Sequence, residues 1–326
     1  QFGGDPGRVM IFGQSGGGAK VVTLMAMAQA RPLFHSAATM SGQHVTAAGP
    51  GHATARARAW MAQCGAADFG ALRAMPVDRL VAAMAMRDPL EGRGEISFTS
   101  TLDHHVLTRH PFYPDAPGEA AHIPIIIGNT HDETGYWLDA VLKRGDTDWA
   151  NLPDRVAAQI VKDVDPAWVI EQYRALYPQR TAGQLLLAIS TAGRSWPGHL
   201  IQAEERARIH APTWMYQLDF PSPEAGGVLG AFHTLDIGLV FGNTAMPAAR
   251  TGNGPVAQRV GGLMADAFIQ LARMGNPNGG DLPDWPIFTL PQRSTMIFDA
   301  ATRVMDDPRG AERQLWAGVP YIKPGG

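Results

Sequence analysis

A mostly parallel β-sheet covered by helices on both faces is the architecture this 326-residue sequence predicts. Two observations carry it. Short apolar runs of strand length, at 9–12, 37–40, 125–127 and 213–218, are separated by long stretches with helical periodicity. The composition, 45% hydrophobic and 17% charged with 37 Gly and 25 Pro, is that of a well-filled globular chain rich in turns.

Along the chain, the Gly3-Gly4-Asp5-Pro6 turn leads into Val9-Met10-Ile11-Phe12, a short apolar run suited to a buried strand, and Gly16 to Met27 reads as a helix. Ala37 to Met40 is the next strand and closes on Ser41-Gly42. From Ala53 to about Met86 the periodicity is helical, broken near Gly65 and at Pro76. Pro124-Ile125-Ile126-Ile127-Gly128 is the strongest strand signal, bounded by Pro and by Gly-Asn. Helical stretches follow at 134–142, 166–177, 184–192 and 200–210, and then the strand Thr213 to Leu218. The last long helix runs from about Val256 to Met274 and stops at Gly275-Asn276-Pro277, after which Met296-Ile297-Phe298 suits a final strand. The Pro- and Gly-rich patches at 221–230 and 252–255 read as surface loops.

Composition also narrows the chemistry. A net charge of -3 gives no long-range field to attract nucleic acid or anionic lipid, so a small neutral substrate is expected. No apolar run approaches the ~18 residues a membrane span needs. Cys64 is the single cysteine, which excludes an internal disulfide and a thiolate metal cluster, and it reads as a small buried filler on a helix. His104 and His105 beside Asp103 are adjacent in an extended segment, so their side chains point opposite ways and do not suit one metal.

Between the first strand and its helix lies Gly13-x-Ser15-x-Gly17, the pattern of a nucleophile elbow. Small flanking residues let the chain turn so sharply that the serine hydroxyl stands exposed at the end of the strand. A phosphate cradle is excluded by spacing: Ala19 separates the glycines from Lys20, and Val21 follows where Ser or Thr would be needed. Serine is a weak nucleophile until a base takes its proton, so the elbow calls for a histidine oriented by a carboxylate.

Eleven histidines compete for that role. The chain order on such folds is Ser, then Asp or Glu, then His, which puts the base late. His233 fits, in the turn-rich loop Gly230 to Asp236 after the strand at 213–218. His199 and His210 flank a helix and read as surface or cap residues. The acid is expected where Ile125 to Gly128 runs into Asn129-Thr130-His131-Asp132-Glu133-Thr134-Gly135, and residue pattern leaves both Asp132 and Glu133 open.

Phe2 to Pro6, Ile11-Phe12-Gly13-Gln14-Ser15-Gly16-Gly17-Gly18, Leu33-Phe34-His35 and Ser41-Gly42 together resemble the type-B carboxylesterases, which include cholinesterases and bacterial para-nitrobenzyl-type esterases. Asn129 to Gly135 resembles that family's acid loop, with Thr134 interrupting the usual run, and 231–242 resembles its histidine loop, with Asp236 where Glu is commoner. Gly275 to Asn278 and Trp285-Pro286 extend the resemblance over almost the whole chain.

The resemblance implies an α/β-hydrolase catalytic domain over 1–326, running from the nucleophile elbow to the C terminus, with the N-terminal strands and the His-Gly-Gly-Gly-like oxyanion loop absent. It implies Ser15, Glu133 and His233 as triad, the Gly16 N–H as remaining oxyanion donor, and Ser41 as a hydrogen-bonding support near the acid. Carboxylic esters would be hydrolysed through an acyl-enzyme, without metal or organic cofactor. The alternatives are a catalytically impaired fragment and a cholinesterase-like binding module that keeps the fold without turnover.

Overall fold

The computed structural model describes residues 3–90, 95–160 and 162–320, so Gln1 and Phe2 of the opening motif lie outside the described residues. In chain order the elements are β1 (Met10–Gln14), α1 (Gly16–Ala26), β2 (Ser36–Met40), α2 (Pro50–Cys64), α3 (Phe69–Ala74), α4 (Val77–Ala82), β3 (Ile125–Thr130), α5 (Asp139–Arg144), α6 (Leu152–Gln159), α7 (Pro166–Leu176), α8 (Ala182–Arg194), α9 (Trp196–Arg208), β4 (Thr213–Leu218), α10 (Leu235–Val240), α11 (Pro255–Met274), β5 (Ser294–Phe298), β6 (Arg303–Asp306) and α12 (Gly310–Ala317).

The six strands form one sheet in the order β1-β2-β3-β4-β5-β6. The first five pair in parallel, and β6 returns antiparallel along β5. Consecutive parallel neighbours require a helical crossover between them, which the long helical stretches supply.

Both faces of the sheet are covered, which is why its central strands read as near-continuous apolar runs. Ile126, Tyr216 and Met296 point to one side and pack with Val260, Met264 and Phe268 of α11. Ile125, Ile127 and Met215 point to the other and meet Val21 and Met25 of α1 and Ala203 of α9. A third cluster, Leu152, Val156, Tyr173, Leu186, Trp196 and Trp316, holds α6 to α9 and α12 together beyond the sheet.

Several elements differ from the sequence expectation. The helix expected over 134–142 is a 3₁₀ turn, Glu133–Tyr136, followed by the short α5. Tertiary bonds override its periodicity: Thr134 Oγ1 lies 2.6 Å from Ser190 Oγ on α8, and a Cβ on Gly135 would come 2.3 Å from the Leu229 carbonyl. The helix expected from Leu200 starts at Trp196, so His199 lies inside α9 with no exposed surface and is neither a cap nor a surface residue. The loop at 221–230 is less superficial than its composition suggests, because Ser222 and Leu229 are fully buried. The short α6, α10 and α12 and the edge strand β6 are too short to be stable on propensity alone and are held by packing. Cys64 ends α2 as a buried filler, and no described helix is long and apolar enough to cross a membrane.

Candidate active site

The carboxyl ends of parallel strands are where α/β sheets gather ligands and chemistry. Here the ends of β1, β2, β3 and β4 lead to Ser15, Ser41, Glu133 and the His233 loop in turn. The register places Gln14 opposite Met40, and Met40 opposite Gly128, so these ends lie level with one another.

Ser15 sits at φ 56°, ψ −119°, a conformation that L side chains rarely adopt, and its N–H donates to the Met40 carbonyl at 2.7 Å. The turn is possible because Gly13 faces Gly17: a Cβ on Gly13 would lie 2.5 Å from the Gly17 carbonyl carbon. Gly16 opens α1, so its N–H belongs to the first turn and has no partner within the helix.

Glu133 is buried beneath this surface, and each of its oxygens has a task. Oε1 accepts from the Ser41 hydroxyl at 2.7 Å and from the Thr130 N–H at 3.0 Å. Oε2 lies 2.5 Å from His233 Nδ1. Burial alone would raise the Glu133 carboxyl, but the His233 imidazole and its hydrogen bond, His199 and the Ser41 hydroxyl hold it below the ordinary carboxylate value. The backbones are joined as well, since the His233 N–H donates to the Glu133 carbonyl at 3.2 Å.

Asp132, one residue earlier, faces elsewhere. Its carboxylate accepts from the Ala231 N–H at 3.0 Å and pairs with His131 Nδ1 at 2.8 Å, while its own N–H donates to the Ala231 carbonyl at 2.9 Å. It therefore staples the acid loop to the histidine loop and does not touch His233. Consecutive residues in a turn project in different directions, and that is what separates two carboxylates that pattern alone leaves equivalent.

His233 is 5% exposed. Burial disfavours its charged form, yet the Glu133 carboxylate and Asp236 outweigh that and raise its pKa above the ordinary imidazole value. Its Nε2 meets Gln14 Nε2 at 3.2 Å, and among the described residues no hydrogen bond joins it to Ser15. With Nδ1–H donating to Glu133, Nε2 is the acceptor of the Gln14 amide N–H. The imidazole face stacks on Trp137, centroids 4.9 Å apart, and Tyr136 stands edge-on at 6.5 Å.

Beneath this layer lie two further titratable groups. Asp236 is fully buried, accepts from the Tyr216 hydroxyl at 2.8 Å, and is pushed by burial up to about 6. Tyr216 reaches it by lying across Gly128, where a Cβ would come 1.7 Å from the ring. His199 is pushed down to about 4 by burial, so it is neutral at ordinary pH.

Ser15, Glu133, His233, Gly16 and Ser41, all singled out from the sequence, thus come to one end of the sheet. Sequence reasoning missed Gln14, Tyr136, Trp137 and His199. Gln14 is part of the elbow motif itself, and the Tyr-Trp pair immediately follows the acid loop, so position was the available signal for both. His199 gave no signal beyond its residue type. The geometry can hold a serine hydroxyl near a buried, carboxylate-paired imidazole, with the Gly16 backbone N–H of the first turn of α1 next to it in the chain.

The profile of the Carboxylesterase family matches residues 1–316. Among curated relatives, the para-nitrobenzyl esterase of Bacillus subtilis is 29% identical over 323 residues, covering 96% of this chain and 63% of its own length. The phenmedipham hydrolase of Pseudarthrobacter oxydans is 28% identical over 312 residues, covering 91% and 60%. Among solved structures, a carboxylesterase of Geobacillus stearothermophilus is similar with a TM-score of 0.77 at 31% identity, covering 97% of this chain and 65% of that one. The chain spans about three-fifths of the length of these curated relatives.

Proposed function

This chain belongs to the carboxylesterase family, and on that premise we propose that it hydrolyses carboxylic esters through an acyl-enzyme on Ser15, with His233 as base and Glu133 as acid. The observation that carries the reading is the buried Glu133–His233 pair at 2.5 Å beside a serine held in a strained elbow.

The steps follow from the residues in place. His233 swings its Nε2 from the Gln14 amide to Ser15 Oγ and takes the hydroxyl proton as Oγ attacks the ester carbonyl carbon. Glu133 keeps the imidazole oriented and stabilises the imidazolium that forms. The carbonyl oxygen becomes an oxyanion facing the Gly16 N–H, a donor fixed by the helix before the reaction begins. Collapse breaks the carbon–oxygen bond to the alcohol, and His233 returns the proton to the departing oxygen. Water, deprotonated by the same imidazole, then attacks the acyl carbon, releasing the acid and restoring Ser15. A small neutral ester suits a protein of this charge, and no step calls for a metal or organic cofactor.

The test is active-site labelling. A fluorophosphonate should modify Ser15 and no other serine, as read by peptide mass spectrometry, and Ser15→Ala should lose both the label and hydrolysis of a nitrophenyl ester. Labelling at Ser41 or any other serine with Ser15 unmodified would overturn the assignment.

A further inference from the structure

His233 is held on its edge by Glu133 and Gln14, but its ring face rests on Trp137, and Trp137 is shared. The Arg194 guanidinium lies 4.7 Å from the centre of the same indole. The arrangement follows from how α8 backs the acid loop. Thr134 donates its N–H to Thr191 Oγ1 at 3.3 Å, and one helical turn along α8, Arg194 stands on the same side as Thr191 and meets Trp137, three residues after Thr134. Arg194 is half-buried at the last position of α8, so its place is set by the helix rather than by a mobile loop.

An indole carries its negative charge on its faces and attracts a cation lying over them. Two cations compete for this ring, one permanent, Arg194, and one transient, the His233 imidazolium stacked 4.9 Å away. Arg194 polarises the indole and also repels the imidazolium directly. The charged and titratable groups facing His233 divide accordingly. Glu133 and Asp236 favour the imidazolium, Arg194 opposes it, and His199 from α9 is neutral in the working range.

We propose that Arg194, acting through Trp137, is a positioning residue for the His233 base: it claims the indole that the imidazolium would otherwise use and so keeps His233 neutral and proton-accepting at working pH. The inference rests on His233 being the base, as set out above. A base between two carboxylates is at risk of being protonated too firmly to accept the serine proton, and a fixed cation on the stacking partner counters that without touching the reacting atoms.

The experiment is a direct titration of the His233 ring by NMR in the wild-type protein and in Arg194→Met and Arg194→Lys, alongside the acid limb of kcat/KM on a nitrophenyl ester. Arg194→Met should raise the His233 midpoint and the acid limb together by roughly half a pH unit, as expected for removing a unit charge that acts from beside the shared ring in a partly screened site. Arg194→Lys, which keeps the charge, should recover most of that shift. An unmoved or lowered NMR midpoint in Arg194→Met would overturn the inference, as would an equal loss of kcat/KM at every pH with the limb in place. Absence of any His233-dependent limb in the wild type would instead overturn the assignment of the base, whatever the NMR midpoint does.

Discussion

The two halves of the candidate site are built on different terms. The acid half, from Ser41 through Glu133 to His233, is buried and its carboxylate is saturated by Ser41, Thr130 and His233. The nucleophile half rests on backbone geometry: Ser15 is fixed by a positive φ and by Gly13, which has no room for a Cβ, and among the described residues no hydrogen bond joins its hydroxyl to the imidazole. Instead, Gln14 holds Nε2 at 3.2 Å. On the proposed mechanism, the pair that would carry charge is assembled in advance, where reorganisation would cost most, and the bond to be made and broken in each cycle would form when substrate arrives.

The sharpest way to break this comparison is to disable each half in turn. Ser15→Ala removes the proposed nucleophile and should lower kcat by about 10⁴-fold or more while leaving the thermal midpoint nearly unchanged, since its hydroxyl makes no hydrogen bond among the described residues. Glu133→Gln should cost about 10³–10⁴-fold in kcat, because a neutral partner neither fixes the tautomer nor stabilises the imidazolium. It should also lower stability, since Ser41, Thr130 and His233 all donate to that buried carboxylate.

Asp132→Asn sharpens the contrast between neighbours. Its kcat should stay within about tenfold of wild type, with a stability loss of about 1–3 kcal/mol from weakening the staple to Ala231 and His131, read by denaturant unfolding. Ser41→Ala is the smaller perturbation of the acid half and should lower kcat by about tenfold, since it removes one charged-group hydrogen bond of three. Smallest in amplitude is the pH profile. His233 must be neutral to accept a proton, and its pKa is raised above 6.5, so kcat/KM should fall as pH drops through a midpoint above 6.5. A midpoint below 6.5 would mean that the carboxylates do not dominate its surroundings.

The legibility of the molecule follows the same division. The elbow was readable because glycine spacing and a strand-to-helix junction are local, and β3 was readable because a strand buried on both faces is continuously apolar. His233 followed from chain order and a turn-rich loop. Asp132 and Glu133 were not separable by pattern, because the choice depends on which way two consecutive side chains project from a turn fixed by α8 through Thr134 and Ser190. His199 was misplaced for a similar reason: α9 begins at Trp196, and its buried face is decided by packing on the sheet rather than by its own periodicity. The contacts of Trp137 with Arg194 and with His233 join residues far apart in the chain, and no local pattern announces them.

The central claim is that His233 is paired with Glu133, and not Asp132, before any substrate binds. The direct measurement is the imidazole Nδ1–H proton resonance of His233 in the free protein. A strongly downfield signal is predicted in the wild type, retained in Ser15→Ala and in Asp132→Asn, and lost in Glu133→Gln. Loss of the signal in Asp132→Asn with its retention in Glu133→Gln would contradict the account and move the acid to the neighbouring residue.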